Sequence, residues 1–151
     1  MINASCVCQD RRLKMELVNN ALTPAMYNAL RESVGWSAFS AAQVQKALQQ
    51  DARNVVAYVD QKPVAMGRII GDGIYFLLVD VVVAPKYQGK GIGKDIIESL
   101  MQSVKSGLAS DERCSIQLVS AQGKEAFYEK MGFSSIPNQK SGHGMQLLIK
   151  A

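Results

Sequence analysis

The chain of 151 residues reads as an α+β fold built on a mixed sheet. Three observations predict it. Three β-rich runs between Asn54 and Val83 follow one another through tight turns, which is the pattern of an antiparallel meander. The third run leads through a glycine-rich loop into a long amphipathic helix, and strand and helix patterns then alternate to the end. The order is βααβββαβαβ, with Phe133 to Ile136 as a candidate for one more strand. Because a meander precedes the glycine loop, a doubly wound nucleotide-binding fold is the wrong class.

Residues 1–12 are polar and without periodicity, and are read as a flexible extension preceding a single domain over 13–151. Lys14 to Val18 is a short strand candidate. Thr23-Pro24 then offers an N-cap with proline at the first helical position, and Met26, Ala29, Leu30 and Val34 supply the buried stripe of a helix that Gly35 ends. A second helix runs from Ser40 to about Gln50 with Val44, Ala47 and Leu48 inward. Trp36 and Phe39 lie in the short connection between the two, where they either staple the helices together or form a wall for a substrate. Asn54 to Asp60 and Pro63 to Ile70 form a hairpin, and Gly71-Asp72-Gly73 turns the chain into the long run Ile74 to Val83, whose one charge is Asp80. Beyond the glycine loop come a helix to about Leu108, a strand from Ser115 to Ser120, a short helix from Lys124 to Met131 closed by Gly132, and a final strand from Gly144 to Lys150.

Composition excludes several classes of function. A net charge of +4 with scattered lysines and arginines argues against a nucleic-acid partner, and no stretch is long and apolar enough for a membrane span. Cys6-x-Cys8 lacks the spacing of a zinc knuckle, and the lone His143 cannot complete a site, so no metal is expected. An odd count of three cysteines, with no apolar leader pattern at the start, points to a reducing cytoplasm.

The chemistry is concentrated in Asp80 to Lys94, DVVVAPKYQGKGIGK. Val81, Val82 and Val83 belong to a buried strand that Pro85 stops. Gly89, Gly91 and Gly93 then alternate with Lys90, Ile92 and Lys94, opening a helix marked by Ile92, Ile96, Ile97, Leu100, Met101, Val104 and Leu108. A helix start of this kind carries unpaired N–H groups, and glycines let a phosphate reach them. A Walker loop would need glycine at Gln88 and Ser or Thr at Asp95. A dinucleotide fingerprint would need a third glycine at Lys94 or Ile96. Both fail, leaving Gln88-x-x-Gly91-x-Gly93.

With the preceding VVVAP strand end, this segment resembles the acyl-coenzyme A signature of the GNAT superfamily of N-acetyltransferases. A second segment, Phe127 to Phe133, is similar to the family's closing helix, whose tyrosine faces the thioester sulfur; here that is Tyr128. Ala121 stands where many members have an asparagine that touches the cofactor arm. The resemblance implies a GNAT-like, mostly antiparallel sheet with helices on both faces, acetyl-CoA as co-substrate, and frequent homodimers. It also implies a bulge in the long strand that frees backbone groups of Val81 to Val83 for the donor, and a pyrophosphate held by the loop Gln88, Gly89, Lys90, Gly91, Ile92, Gly93 and Lys94.

Acetyl transfer needs a held donor, a neutral amine, a site for the oxyanion and a proton for the leaving thiolate. Tyr128 is the candidate donor of that proton. Full transfer from a phenol of pKa ~10 to a thiolate of ~8.5 is uphill by roughly 2 kcal/mol, so a hydrogen bond is the safer role. DVVV resembles glucosamine-phosphate N-acetyltransferases, where acids at this strand border the acceptor. Asp80 thus either orients the amine and takes its proton, or bonds to a neighbouring loop. Arg68 either binds an anionic acceptor group or pairs with Asp72 or Asp80, and Trp36 and Phe39 complete the substrate-side candidates. The expected activity is transfer of an acetyl group to a primary amine of a small molecule in a ternary complex. An acyl-CoA-binding sensor or scaffold, and a peptide N-acetyltransferase, are the alternatives.

Overall fold

The computed structural model describes residues 14–145. The backbone divides into two units, Met1–Gln117 and Leu118–Ala151. The extension over 1–12 lies outside the described residues, as does most of the strand expected from Gly144 to Lys150; Gly144 and Met145 themselves are in no strand.

In the first unit the elements are β1 (Met15–Asn19), α1 (Pro24–Ser33), α2 (Ala41–Gln49), β2 (Arg53–Val59), β3 (Lys62–Gly71), β4 (Tyr75–Val83), α3 (Ile92–Lys105) and β5 (Ser115–Leu118), whose last residue crosses into the second. The sheet order is β1-β2-β3-β4-β5, and the first three pairings are antiparallel. Local chemistry sets each boundary. Thr23 and Ser40 cap α1 and α2 by accepting the amides of Met26 and Gln43. Asp60 and Gln61, both at positive φ, make the two-residue turn between β2 and β3. Asp72 accepts the amides of Ile74 and Tyr75 at 2.9 Å each, closing the turn into β4.

The sheet has two unlike faces. α3 packs across β2, β3 and β4 and buries Ile92, Ile96, Ile97, Leu100 and Val104, each contributing about 2 kcal/mol of gross apolar burial. Its approach depends on Gly67, since a Cβ there would stand 2.5 Å from Ile96 Cγ2 and 3.0 Å from Leu100 Cδ1. On the opposite face, α1 and α2 contribute Tyr27, Leu30 and Val44 to a core with Leu22, Val56, Met66 and Val82. The expected stripe of α1 is corrected here: Ala29 is exposed and Tyr27 is buried in its place. The Tyr27 ring can turn inward because its hydroxyl donates to the half-buried Asp80 carboxylate, a partner that sequence spacing cannot show.

Between Arg68↔Val79 and Met66↔Val82 the register shifts, so that Asp80 and Val81 together oppose Gly67. This is a β-bulge, with Asp80 at φ 50.

The second unit contains the short helix α4 (Glu125–Glu129), ended by Gly132 at φ 92. Phe133 to Ile136 forms no strand, contrary to the candidate reading, and Ile136 is exposed. Asn138 and Ser141 make a single antiparallel bridge.

Candidate active site

β4 ends at Val83, and Pro85–Tyr87 form one 3-10 turn before the glycine loop. The Gln88 side chain donates its Nε2 proton to the Val83 carbonyl at 2.9 Å, folding the loop back on the strand it has just left. Gly89 and Gly91 have φ of 74° and 85°, and a Cβ on either would meet nothing within 4 Å. Conformation demands glycine at both, and the space before them is open.

Gly91 is the N-cap of α3 and brings no side-chain cap. The first helical bond runs from the Asp95 amide to the Gly91 carbonyl at 3.1 Å, which leaves the amides of Ile92, Gly93 and Lys94 without helical partners at the positive end of the dipole. Ile92 and Val82 bury their side chains, and Val81 and Val83 are half-buried, so these residues can serve a ligand only through their backbones. Lys90 Nζ lies 5.2 Å above the Tyr87 ring, and Lys94 pairs with Glu98 at 3.6 Å on the exposed side of the helix.

Three donors converge on Asp80. Arg31 Nη1 reaches Oδ1 at 2.8 Å, Arg68 Nη1 reaches Oδ2 at 2.7 Å, and the Tyr27 hydroxyl donates to Oδ2 at 3.0 Å. Arg68 is held from its other side by Asp51, through Nη2 at 2.7 Å and Nε at 3.0 Å. Two acids and two arginines thus balance on the α1 face of the sheet, where an unpaired charge would be strongly unfavourable. Burial pushes the Arg68 guanidinium down, but the hydrogen bond and charge of Asp51, with Asp80 and Tyr27 behind them, outweigh it and the net direction is up. The Tyr27 phenol is raised by burial first and by the Asp80 charge and hydrogen bond second.

Arg31 ties this cluster to the α1–α2 connection. Its guanidinium lies 5.1 Å from the Trp36 ring centroid, 4.8 Å from Phe39 and 5.5 Å from Tyr27, while its Nε donates to the Ser37 carbonyl. Trp36 and Phe39 remain 37% and 43% exposed, so they cover an arginine rather than filling a seam between helices. Asn28 fixes the loop by bonding both the N–H and C=O of Phe39.

The structure therefore gathers Trp36, Phe39, Arg68 and Asp80 around Arg31 and continues from Asp80 through Val81–Val83 into the glycine loop. Asp72 is not part of this cluster, its carboxylate being engaged in its own turn. Tyr27, Arg31 and Asp51 were not expected in it. Tyr27 and Arg31 carry a weak signal, one turn apart on α1. Asp51 carries none, because only the fold brings it to Arg68.

In the second unit, Tyr128 packs edge-on against Phe127 and Phe133, with centroids at 5.1 and 6.0 Å. Burial raises its phenol above the ordinary value, so it stays protonated across the physiological range. The Phe133 amide returns to the Tyr128 carbonyl at 3.2 Å, closing the helix end around the ring. Among the described residues no three His, Cys, Asp or Glu side chains gather as metal ligands, and no helix is long and apolar enough to cross a membrane.

These features coincide with similarity to known proteins. Residues 50–135 match the acetyltransferase (GNAT) domain family. The chain is 31% identical over 138 residues to GCN5-related N-acetyltransferase 1, chloroplastic, of Arabidopsis thaliana, covering 89% of this chain and 68% of that protein. It is 34% identical over 82 residues to serotonin N-acetyltransferase 2, chloroplastic, of Oryza sativa, which covers 54% of this chain and 39% of the rice protein. Among solved structures, a probable acetyltransferase of Staphylococcus aureus superposes with a TM-score of 0.77 at 29% identity, covering 89% of this chain and 99% of the other. Glucosamine-6-phosphate N-acetyltransferase of Arabidopsis thaliana shares the fold at a TM-score of 0.65 and 20% identity, covering 85% of this chain and 97% of the other. The family match spans the bulged strand, the glycine loop and the segment around Tyr128, and with it the chain belongs to the GNAT superfamily and is an acetyltransferase.

Proposed function

We propose that this chain transfers the acetyl group of acetyl-CoA to a primary amine of a small molecule, by direct attack while both substrates are bound. One observation carries the reading: a bulged strand leads through a short glycine loop into a helix capped by a left-handed glycine with open space before it. When bound, acetyl-CoA supplies an activated acetyl thioester. The residues present fit it. Free amides at Ile92, Gly93 and Lys94 suit a pyrophosphate, Lys90 and Lys94 add positive charge, and the bulge leaves backbone groups of Val81–Val83 available to an amide-bearing arm.

Tyr128 serves as hydrogen-bond donor to the departing sulfur. Its raised pKa makes complete proton transfer still less favourable than for an ordinary phenol, so the hydroxyl acts by stabilising developing charge. Asp80 is left out of the proton path, since three donors already occupy its two oxygens, and water carries the ammonium proton away. No cysteine lies in either motif, which supports direct transfer over an acetyl-enzyme.

Trp36, Phe39 and Arg31 form the acceptor-side wall. An amine with a flat or apolar body suits exposed rings of this kind, and similarity to the rice serotonin N-acetyltransferase supports the same class. Arg68 contributes by fixing Asp80 rather than by meeting an anionic acceptor, because all three of its guanidinium nitrogens already bond Asp51 or Asp80 and its side chain is 9% exposed. A reducing compartment such as the cytoplasm and a homodimer complete the proposal, the first supported by cysteine usage and the second by family resemblance.

The test is release of free thiol from acetyl-CoA on a panel of arylalkylamines, polyamines, amino sugars and peptide N-termini. Turnover on a small amine supports the reading. Binding without turnover on any amine would make the chain an acyl-CoA sensor, and turnover on peptides alone would make it a peptide N-acetyltransferase.

A further inference from the structure

We propose that Asp80 is a positioning residue: its carboxylate, clamped by Arg31, Arg68 and Tyr27, holds the β4 bulge in its left-handed conformation and so keeps the backbone of Val81–Val83 presented to the acyl donor. The inference rests on the acetyl-transfer reading for its consequence, and on geometry for its cause. Asp80 has φ 50 in a strand where its neighbours are extended. Such a conformation is unfavourable for a residue with a Cβ, although aspartate and asparagine tolerate it better than most, and it persists only where the surroundings hold it.

Here the surroundings are two layers deep. Arg68 reaches Asp80 from β3, the strand from which the bulge departs in register, and is itself fixed by Asp51, whose side chain is 2% exposed. Tyr27 and Arg31 reach it from α1, one helical turn apart. Every charged or titratable group bonded to the carboxylate is thus tied to a different element from β4. Sliding β4 by one residue to erase the bulge would pull the carboxylate out of all three bonds at once. A general base would instead need an oxygen facing a substrate amine, whereas both oxygens here face protein donors.

Three substitutions separate these roles. Asp80→Asn keeps the tolerance for positive φ and an acceptor for the clamp. Asp80→Gly keeps only the tolerance, and Asp80→Ala keeps neither. With a good amine saturating, kcat/KM for acetyl-CoA is expected to fall by no more than about threefold in the Asn variant, about tenfold in the Gly variant and about a hundredfold in the Ala variant, on the scale of a misplaced reactant. The loss should lie mainly in KM, and the pH–rate profile of the Asn variant should keep the parent's shape. Arg31→Gln, which leaves β4 untouched, should raise KM for acetyl-CoA in the same direction and decides the question if the Ala variant does not fold.

An Asn variant as slow as the Ala variant, with the loss in kcat and an altered acid limb, would overturn the proposal in favour of a general base. A Gly variant equal to the parent would overturn it by showing the clamp idle. Should calorimetry show that the parent binds no acetyl-CoA, the functional reading falls, and hydrogen exchange at the Val81–Val83 amides decides the clamp alone. Faster exchange in the Gly variant than in the parent upholds it, and equal rates overturn it.

Discussion

The two faces of the sheet solve opposite problems with the same strands. Under α3 the contacts are apolar throughout: Ile96, Ile97 and Leu100 are fully buried, and Gly67 lets the helix come close. Under α1 the same strands present Arg68 and Asp80 beside an apolar core, and a charge cluster stands there that packing alone would not need. Only the second face carries a bulge residue at positive φ. The difference teaches that α3 is anchored by packing and offers its N-terminus as a fixed point, while the strand leading to it is shaped by polar bonds. Buried ion pairs are weak evidence for stability, because the cost of desolvating the charges offsets much of their attraction, whereas removing one partner is strongly destabilising.

The largest expected effect comes from breaking the polar face. Arg68→Met leaves Asp51 and Asp80 without their shared partner at a site where Asp51 is 2% exposed, and should cost about 3–5 kcal/mol in denaturant unfolding. A loss below about 1 kcal/mol would mean that the cluster is solvated and that the contrast between the faces is overstated. Next, Leu100→Ala on the apolar face should destabilise by about 3 kcal/mol through lost burial and a residual cavity. Activity per folded molecule should hardly change, because the Leu100 side chain is fully buried and lies well along α3 from the amides proposed to hold acetyl-CoA; a selective loss of turnover would break the division of labour.

How much of this was legible beforehand differs between the faces for the same reason. Apolar periodicity named Ile92, Ile96, Ile97, Leu100 and Val104, since a helix face is a local pattern, but it also named Met101, which is half-buried, and Leu108, which lies beyond the end of α3 at Lys105. The glycine loop was legible too, because left-handed turns and helix starts require particular residues at short spacing. The polar face was only half visible. Asp80 and Arg68 stood out as charges in apolar strands, but their partners Tyr27, Arg31 and Asp51 lie 17 to 53 residues from them, and pairing at such range is set by topology. Phe133 to Ile136 shows the converse error, β-prone composition in a segment that forms no strand.

A smaller effect is expected at Tyr128. Tyr128→Phe keeps the edge-on packing against Phe127 and Phe133 and removes the hydroxyl, so kcat should drop by about 10- to 1000-fold with little change in melting temperature. Because burial raises this phenol, its protonated form persists below pH 10, and its contribution is lost only as pH rises through the raised value. A rate loss between pH 6 and 9 that vanishes in the Phe variant would contradict that assignment. Smaller still, Lys90→Ala and Lys94→Ala should each weaken acetyl-CoA binding by about two- to fivefold at low salt and less at high salt, since both side chains lie at the surface.

The measurement that bears most directly on the central claim is titration calorimetry of acetyl-CoA against the parent and Gly91→Val. The parent should bind with one site per chain. The variant places a branched side chain at φ 85 in the open space before the α3 amides, and should lose at least about tenfold in affinity while staying folded. Equal affinity in parent and variant would contradict the account, because the glycine-capped start of α3 would then not be where acetyl-CoA is held.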